Sequence, residues 1–275
     1  MNPESRYLQD LIIAELGVPA AFDVDSEIER RVEFLADRLR RTGATAYVLG
    51  ISGGVDSSTA GRLCQLAVER VRSEGGRATF VAMRLPYGVQ ADEADEADAQ
   101  RSLEFIKPDE TLTVDVQPAT DAMVESVRHA GLGDREDFHV GNIKARQRMV
   151  AQYLVAGARG GLVVGTDHAA EAVMGFFTKY GDGACDLTPL SGLSKRRVRA
   201  VGERLGAGSE ITGKVPTADL ETNNPGVPDE LVLGVTYDEI DDFLEGHEVN
   251  EKAASRIIET HRRTAHKRAV PLAFS

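Results

Sequence analysis

Apolar positions along the chain alternate between a three-to-four-residue spacing and short unbroken runs. Ile28, Val32, Leu35 and Leu39 fall on one helical face behind Asp25-Ser26, a plausible cap, and that helix is predicted to stop near Thr42-Gly43. Ala46 to Ile51 then reads as a buried strand, Ser57 to Arg72 as a helix, Thr79 to Leu85 as a strand and Asp92 to Ile106 as a helix. Thr111 to Val116 continues as a strand, Val140 to Ala158 as a long helix, and Leu162 to Gly165 as a short buried strand. A further helix is predicted from Val249 onward. Strands alternating with helices predict an α/β fold, a parallel sheet with helices on both faces, in a single domain over residues 1–275 with helical N- and C-terminal extensions. In such sheets ligands gather beyond the carboxyl ends of the strands, so the loops there are where chemistry is expected.

Composition narrows the classes. At 42% hydrophobic and 28% charged residues the chain is an ordinary globular one. Its 32 Lys+Arg against 44 Asp+Glu leave a charge of −12, which argues against a nucleic-acid partner. Two cysteines, Cys64 and Cys185, form neither a disulfide scaffold nor a zinc pair, and a reducing, cytoplasmic compartment is the expectation. Leu11 to Ala14 is surrounded by Glu4, Asp10 and Glu15, which suits an amphipathic helix and not a leader peptide. No stretch approaches the roughly 20 apolar residues of a membrane span, so no membrane partner is expected. The acidic run Asp92 to Asp98 reads as a solvated helix start. Thr217 to Glu230 reads equally as a lid or as an ordinary surface loop. Positive charge collects locally at Lys252, Arg256, Arg262, Arg263, Lys267 and Arg268.

The segment Gly50-Ile51-Ser52-Gly53-Gly54-Val55-Asp56-Ser57 joins a predicted strand to a predicted helix. Gly53 and Gly54 lack a β-carbon, so the backbone can turn sharply and bring N–H groups to an anion at the helix N-terminus. Ser52, Ser57 and Ser58 add hydroxyls, and Asp56 can hold magnesium against phosphate oxygens. The lysine of a GxxxxGK[ST] loop is absent, which counts against γ-phosphate transfer of that kind.

The run SGGxDS resembles the pyrophosphate-binding loop of the ATP pyrophosphatases, which split ATP between its α- and β-phosphates. Further segments narrow the resemblance: Gly141 to Arg146, Gly165 to Glu171, Gly175 to Gly183, Pro216 to Leu220 and His266-Lys267-Arg268. In order and spacing the chain is similar to the ammonia-dependent NAD synthetases of bacteria, nearly throughout its length. That resemblance implies an adenine nucleotide alpha hydrolase-like fold and conversion of deamido-NAD, ATP and ammonia to NAD, AMP and pyrophosphate through an NAD-adenylate. It assigns Gly50 to Ser57, Thr166, Lys195 and Thr217 to ATP, and Asp56 and Glu171 to magnesium. Arg146, Lys179, Asp186, His266 and Lys267 fall to deamido-NAD, and Asp182 to the acid that binds and deprotonates ammonium. It further implies a homodimer, for which the helix Val140 to Ala158 is the candidate face; its Ile143, Met149, Val150, Tyr153 and Leu154 could equally be core.

Taken without the resemblance, many of these residues have ordinary readings. Thr166 and Thr217 pass for caps or turn residues, Glu171, Lys195 and Arg146 for solvated side chains, and Asp182 in Gly181-Asp182-Gly183 for a turn aspartate. Cys64 and Cys185 read as packing residues, and Tyr87 has no assigned role. Two other functions compete. Another ATP pyrophosphatase, GMP synthetase-like or tRNA-thiolating, would share the loop, although thiolation calls for extra cysteines and a basic RNA face. A non-catalytic ATP-binding module would need the loop but not Lys179, Asp182 or His266.

Overall fold

In the computed structural model, which describes residues 1–88, 93–132, 137–217, 227–271 and 273–274 apart from the side chains of residues 93–95 and 132, helices α1 (Pro3–Glu15) and α2 (Val24–Thr42) precede the sheet. The alternating region follows as β1 (Ala46–Gly50), α3 (Val55–Ser73), β2 (Thr79–Arg84), α4 (Glu93–Ile106), β3 (Glu110–Thr113), α5 (Gln117–Val127), α6 (Asp137–Arg159) and β4 (Gly161–Val163). The remainder is helical: α7 (Ala169–Met174), α8 (Lys195–Arg204), α9 (Ser209–Thr212), α10 (Asp229–Leu233), α11 (Tyr237–Leu244), α12 (Glu251–Arg263) and α13 (Ala265–Arg268).

The four strands pair in parallel in the order β3-β2-β1-β4. Because strand side chains alternate between faces, each face acquires its own core. Tyr47, Leu49, Phe80 and Ala82 pack with Leu35 of α2 and Leu63 and Val68 of α3. Val48, Val81, Met83 and Val163 point the other way, onto Ala156 of α6. Buried Tyr47 donates its hydroxyl to the Leu35 carbonyl at 2.6 Å, so the one polar atom of that side chain is satisfied. The predicted parallel sheet covered on both faces is what these two clusters describe.

The expected elements are present with shifted ends. Helix α6 begins at Asp137, before the predicted Val140, and β4 closes at Val163, Val164 making only a single bridge to Leu187. β3 ends at Thr113 where Val116 was predicted, because the chain turns there into α5. Helix α5 was not predicted, although Pro118 sits in its first turn. Nor was α11, whose Thr236 and Glu239 form a reciprocal capping box. Of the stretch read as a lid or loop, Thr217 and residues 227–230 lie within the described residues and 218–226 outside them.

The helical extensions pack on each other. Ile12 of α1, Val173 of α7, Ile240, Phe243 and Leu244 of α11, and Ala254, Ile257 and Ile258 of α12 share one apolar cluster. Buried Gln9 ties α1 across it, donating to the carbonyls of Phe243 at 2.7 Å and His247 at 2.9 Å. Among the described residues no helix is long and apolar enough to cross a membrane. Phe243 has no exposed surface, so Phe243→Ala should lower the unfolding free energy by about 3–5 kcal/mol with an unchanged urea m-value. Urea titration followed by circular dichroism checks this.

Candidate active site

Strand β1 is where the sheet changes direction: β2 and β3 are added on one side of it and β4 on the other. The loops leaving β1 and β4 therefore part around a crevice at the carboxyl edge, the usual ligand site of open α/β sheets. The loop leaving β1 is the SGGxDS segment. Gly50 ends the strand with its N–H on Gln152 Oε1 of α6 at 2.8 Å. Gly53 has φ 89°, and a β-carbon there would stand 3.0 Å from Asp98 Cβ and 3.1 Å from the Ala99 nitrogen, so α4 crowds the turn and only glycine suits it. Gly54 caps α3 in an extended conformation with no side-chain cap bond. The first-turn N–H groups of α3 are thus available to an anion. Ser52 and Ser57 face each other, hydroxyl to hydroxyl, at 3.1 Å. Ser58 turns back into the helix and donates to the Gly54 carbonyl at 2.7 Å, so the third expected hydroxyl serves the helix.

Beside the loop, α3, α7 and α8 bring charged groups together. Lys195 Nζ donates to Asp56 Oδ2 at 2.7 Å, with the lysine side chain 2% exposed. Lys195 is held there from its own backbone: Asp241 of α11 accepts the N–H groups of Lys195 and Arg196 at 2.8 and 2.7 Å, and Ser194 caps α8 while donating to Glu245 at 2.6 Å. The Tyr237 ring lies 5.1 Å from the ammonium and its hydroxyl donates to Asp229 at 3.0 Å. Fully buried His168, which begins α7, stands 3.4 Å from Asp56 Oδ1 and 3.7 Å from Glu171 Oε2 through Nε2.

These groups titrate apart from one another. Burial alone would raise Asp56, but Lys195 and His168 outweigh it and hold the carboxyl below its ordinary range. Glu171 lacks such a cation of its own; burial and then the charge of Asp56 push it well up. Burial drives His168 down to about 3, so the imidazole is neutral at physiological pH.

The donor set suits magnesium. Asp56 Oδ1 is shielded from solvent with no hydrogen-bond partner, and Glu171 is displaced toward its neutral form by burial and then by the charge of Asp56. A hard dication between two carboxylates would satisfy the first and reverse the second. One oxygen or nitrogen each from Asp56, His168 and Glu171 lies within 4.8 Å of the others. His168 is a member that sequence reasoning missed; its position between Asp167 and Glu171 was the signal available.

A second space adjoins on the α6 side, a cavity of about 600 Å³. Its walls include Met123, Phe138 and Ile143 and four of the five residues expected at the second nucleotide: Arg146, Lys179, His266 and Lys267. Arg146 donates to the Lys179 carbonyl at 3.2 Å, and Lys179 to the His266 carbonyl at 2.5 Å. Lys267 of α13 donates to the carbonyls of Gly175 and Phe177 at 2.8 and 2.7 Å. Asp186 is the exception. It accepts from the Val163 N–H at 2.7 Å while its own N–H returns to the Val163 carbonyl, so this carboxylate clamps the end of β4 and does not line the cavity.

Asp182 accepts from the Thr178 N–H at 3.0 Å, and burial raises its pKa while Lys267 opposes the rise. Nearby Asp167 is pushed up to about 7 by burial and by Asp182. Thr166 follows β4 at the crevice, and Thr217 forms a bridge to Pro228. Tyr87 stacks under the Lys144 ammonium, 4.3 Å from the ring centre, with its hydroxyl on Asp121, which pins the end of β2 to α5 and α6. Cys64 is buried in the core, and Cys185 packs on Gly165 with its thiol raised to about 11 by burial, too high to ionise at neutral pH.

Comparison with known proteins bears on the family of the chain. The family model described as NAD synthase matches residues 27–271. The chain is 62% identical to the NH(3)-dependent NAD(+) synthetase of Streptomyces coelicolor over 99% of both proteins. It is 57% identical to the protein of that name from Burkholderia pseudomallei, over 98% of this chain and 95% of the relative. The crystal structure of NAD+ synthetase from Burkholderia pseudomallei superposes with a TM-score of 0.84 at 55% identity, covering 98% of this chain and 99% of that one.

The Asp56–Lys195 pair yields a stability test. Lys195→Met strands a mostly buried carboxylate and should destabilise the protein by about 3–5 kcal/mol. Adding Asp56→Asn should restore much of that loss. Urea unfolding of the two single variants and the double variant closes the cycle, and strictly additive effects would contradict the coupling.

Proposed function

The chain belongs to the NAD synthase family, and we propose that it is an ammonia-dependent NAD synthetase, amidating deamido-NAD to NAD while ATP is split to AMP and pyrophosphate. The observation that carries this reading is the meeting, at one sheet edge, of an anion-ready loop with a cavity walled by Arg146, Lys179, His266 and Lys267. Relatives that share its length and 57–62% of its residues are named for that activity. A separate ATP pyrophosphatase activity is not favoured by these relatives.

Each step follows from the placement of the chain's own groups. In the first, an oxygen of the nicotinate carboxylate attacks the α-phosphorus, and the bond to the bridging oxygen breaks so that pyrophosphate leaves with the electron pair. Attacking and leaving groups are both anionic, so their alignment is a charge problem. The open N-terminus of α3, with Ser52 and Ser57, receives the phosphates, while Thr166 and Thr217 bound the nucleotide. Asp56 and Glu171 would hold magnesium, whose charge offsets that of the triphosphate. Arg146, Lys179, His266 and Lys267 orient the deamido-NAD; Asp186 acts one step removed, by fixing β4 beneath the site.

In the second step ammonia attacks the acyl carbon, the bond to the phosphate oxygen breaks, and AMP leaves. Ammonium carries no free electron pair, so it must first lose a proton. Asp182 is suited to take it, since its burial raises its proton affinity. Asp167 beside it is raised in turn, by its own burial and by the charge of Asp182.

Helix α6 bears on assembly. It buries Gly141, Lys144, Ala145 and Ala156, while Val150, Tyr153 and Leu154 are exposed, so those last three are not core. A second copy of the chain would cover them, in keeping with the homodimer that the resemblance implies. A cytoplasmic setting, where free thiols persist, fits unpaired Cys64 and Cys185.

Incubation with ATP, magnesium, ammonium and deamido-NAD should yield NAD and AMP in equal amounts. Pyrophosphate release that ignores deamido-NAD would overturn the assignment. Asp182→Asn should slow amide formation on the order of a hundredfold or more while NAD-adenylate accumulates, as judged by rapid quench and chromatography. Equal loss of both steps would remove Asp182 from the ammonia site.

A further inference from the structure

Helix α8 presents a second cation to the phosphate loop. Arg199 lies one turn beyond Lys195, and residues four apart share a helix face. That face is pressed on α3 at two points. Lys195 reaches Asp56 at 2.7 Å, and a β-carbon at Gly202 would stand 2.7 Å from Thr59 Oγ1. Arg199 falls between these points, alongside the first turns of the helix that the loop opens into.

Its surroundings leave its charge unmatched. The other arginines of α8 have acids: Arg196 meets Asp242 at 2.8 Å, Arg197 meets Glu245 at 3.3 Å, and Arg204 meets Asp25 at 2.7 Å. Among the described residues Arg199 has none, and its Nε is shielded from solvent without a hydrogen-bond partner. Asp56, close enough for its carboxylate to feel the charge of Arg199, is already engaged by Lys195 at 2.7 Å. Arg199 is near enough for its charge to favour the ionised form of Asp56 and the neutral form of His168. A half-buried guanidinium whose Nε is shielded and that has no ion-pair partner among the described residues is better satisfied when an anion meets it.

We propose that Arg199 is a phosphate-binding residue for the first step, taking the β- and γ-phosphates of ATP and holding the pyrophosphate as it leaves, whereas the charge of Lys195 is spent largely on Asp56. A planar guanidinium can grip two phosphate oxygens at once, which an ammonium cannot. When the bond between the α-phosphorus and the bridging oxygen breaks, the electron pair passes to the departing oxygen, and the negative charge gathers where Arg199 is placed. This assignment deepens the synthetase reading and rests on it only for which acceptor the α-phosphorus meets.

The test compares wild type with Arg199→Ala and Arg199→Lys, by calorimetric binding of magnesium pyrophosphate to the protein alone and by steady-state kinetics. Arg199→Ala should weaken pyrophosphate binding and raise the KM for ATP on the order of tenfold to a hundredfold. The KM for deamido-NAD should stay within about twofold, and Arg199→Lys should recover part of the loss. Urea unfolding of Arg199→Ala should be unchanged or shifted toward greater stability, since an unmatched charge is removed. Pyrophosphate binding and an ATP KM equal to wild type would overturn the proposal. So would lowered stability together with equal weakening of both substrates, which would make Arg199 a packing residue. A wild type that binds pyrophosphate through Arg199 yet makes no adenylate from deamido-NAD would sustain the Arg199 assignment and refute the synthetase reading instead.

Discussion

Two helices whose contacting residues are 139 positions apart in sequence are joined by the ion pair of Asp56 and Lys195, and the arrangement of the crevice follows from that contact. Asp56 lies in the first turn of α3, so its position is the position of the loop before that helix; Lys195 opens α8, whose start is fixed by Asp241 on α11. The pair therefore ties the sheet to the helical extensions. Removing two ions from water is costly, and attraction offsets that cost only where the geometry is close and the remaining donors are satisfied. Ser194, Asp241 and Glu245 supply that order at the lysine end.

The same neighbourhood separates acids of similar intrinsic strength into distinct tasks. Asp56 has a cation at 2.7 Å and stays ionised, whereas burial raises Glu171, Asp167 and Asp182 and the cations that act on them do not outweigh it. Buried carboxylates whose desolvation is not offset by a close cation hold protons or wait for positive ligands. Both conditions stand side by side in this crevice. The chain's charge of −12 belongs mostly to the solvated exterior and says little about this crevice.

Much of this was legible in one dimension because it is local. A strand followed at once by two glycines, an acid and a helix marks the loop wherever the chain folds, and the alternation of Tyr47, Val48 and Leu49 between faces is a property of any strand. Four of the five residues expected around the second nucleotide also met at one cavity. What escaped depends on long-range partners. Asp186 carries no sign in its own segment that Val163 will claim its carboxylate, and His168 becomes notable only once α3 and α7 bring Asp56 and Glu171 to it. Helix α11 was overlooked for a different reason: its eight residues are too short for a periodic pattern to stand out, although its capping box was in plain view.

Lys267 closes the cavity from far along the chain, with its ammonium on the carbonyls of Gly175 and Phe177, 92 and 90 residues earlier. During synthesis the sheet, the phosphate loop and the cluster around Asp56 can all be in place before that lysine has left the ribosome, whereas the wall beside Asp182 cannot. A nascent chain can thus hold a folded nucleotide loop without a competent amidation site.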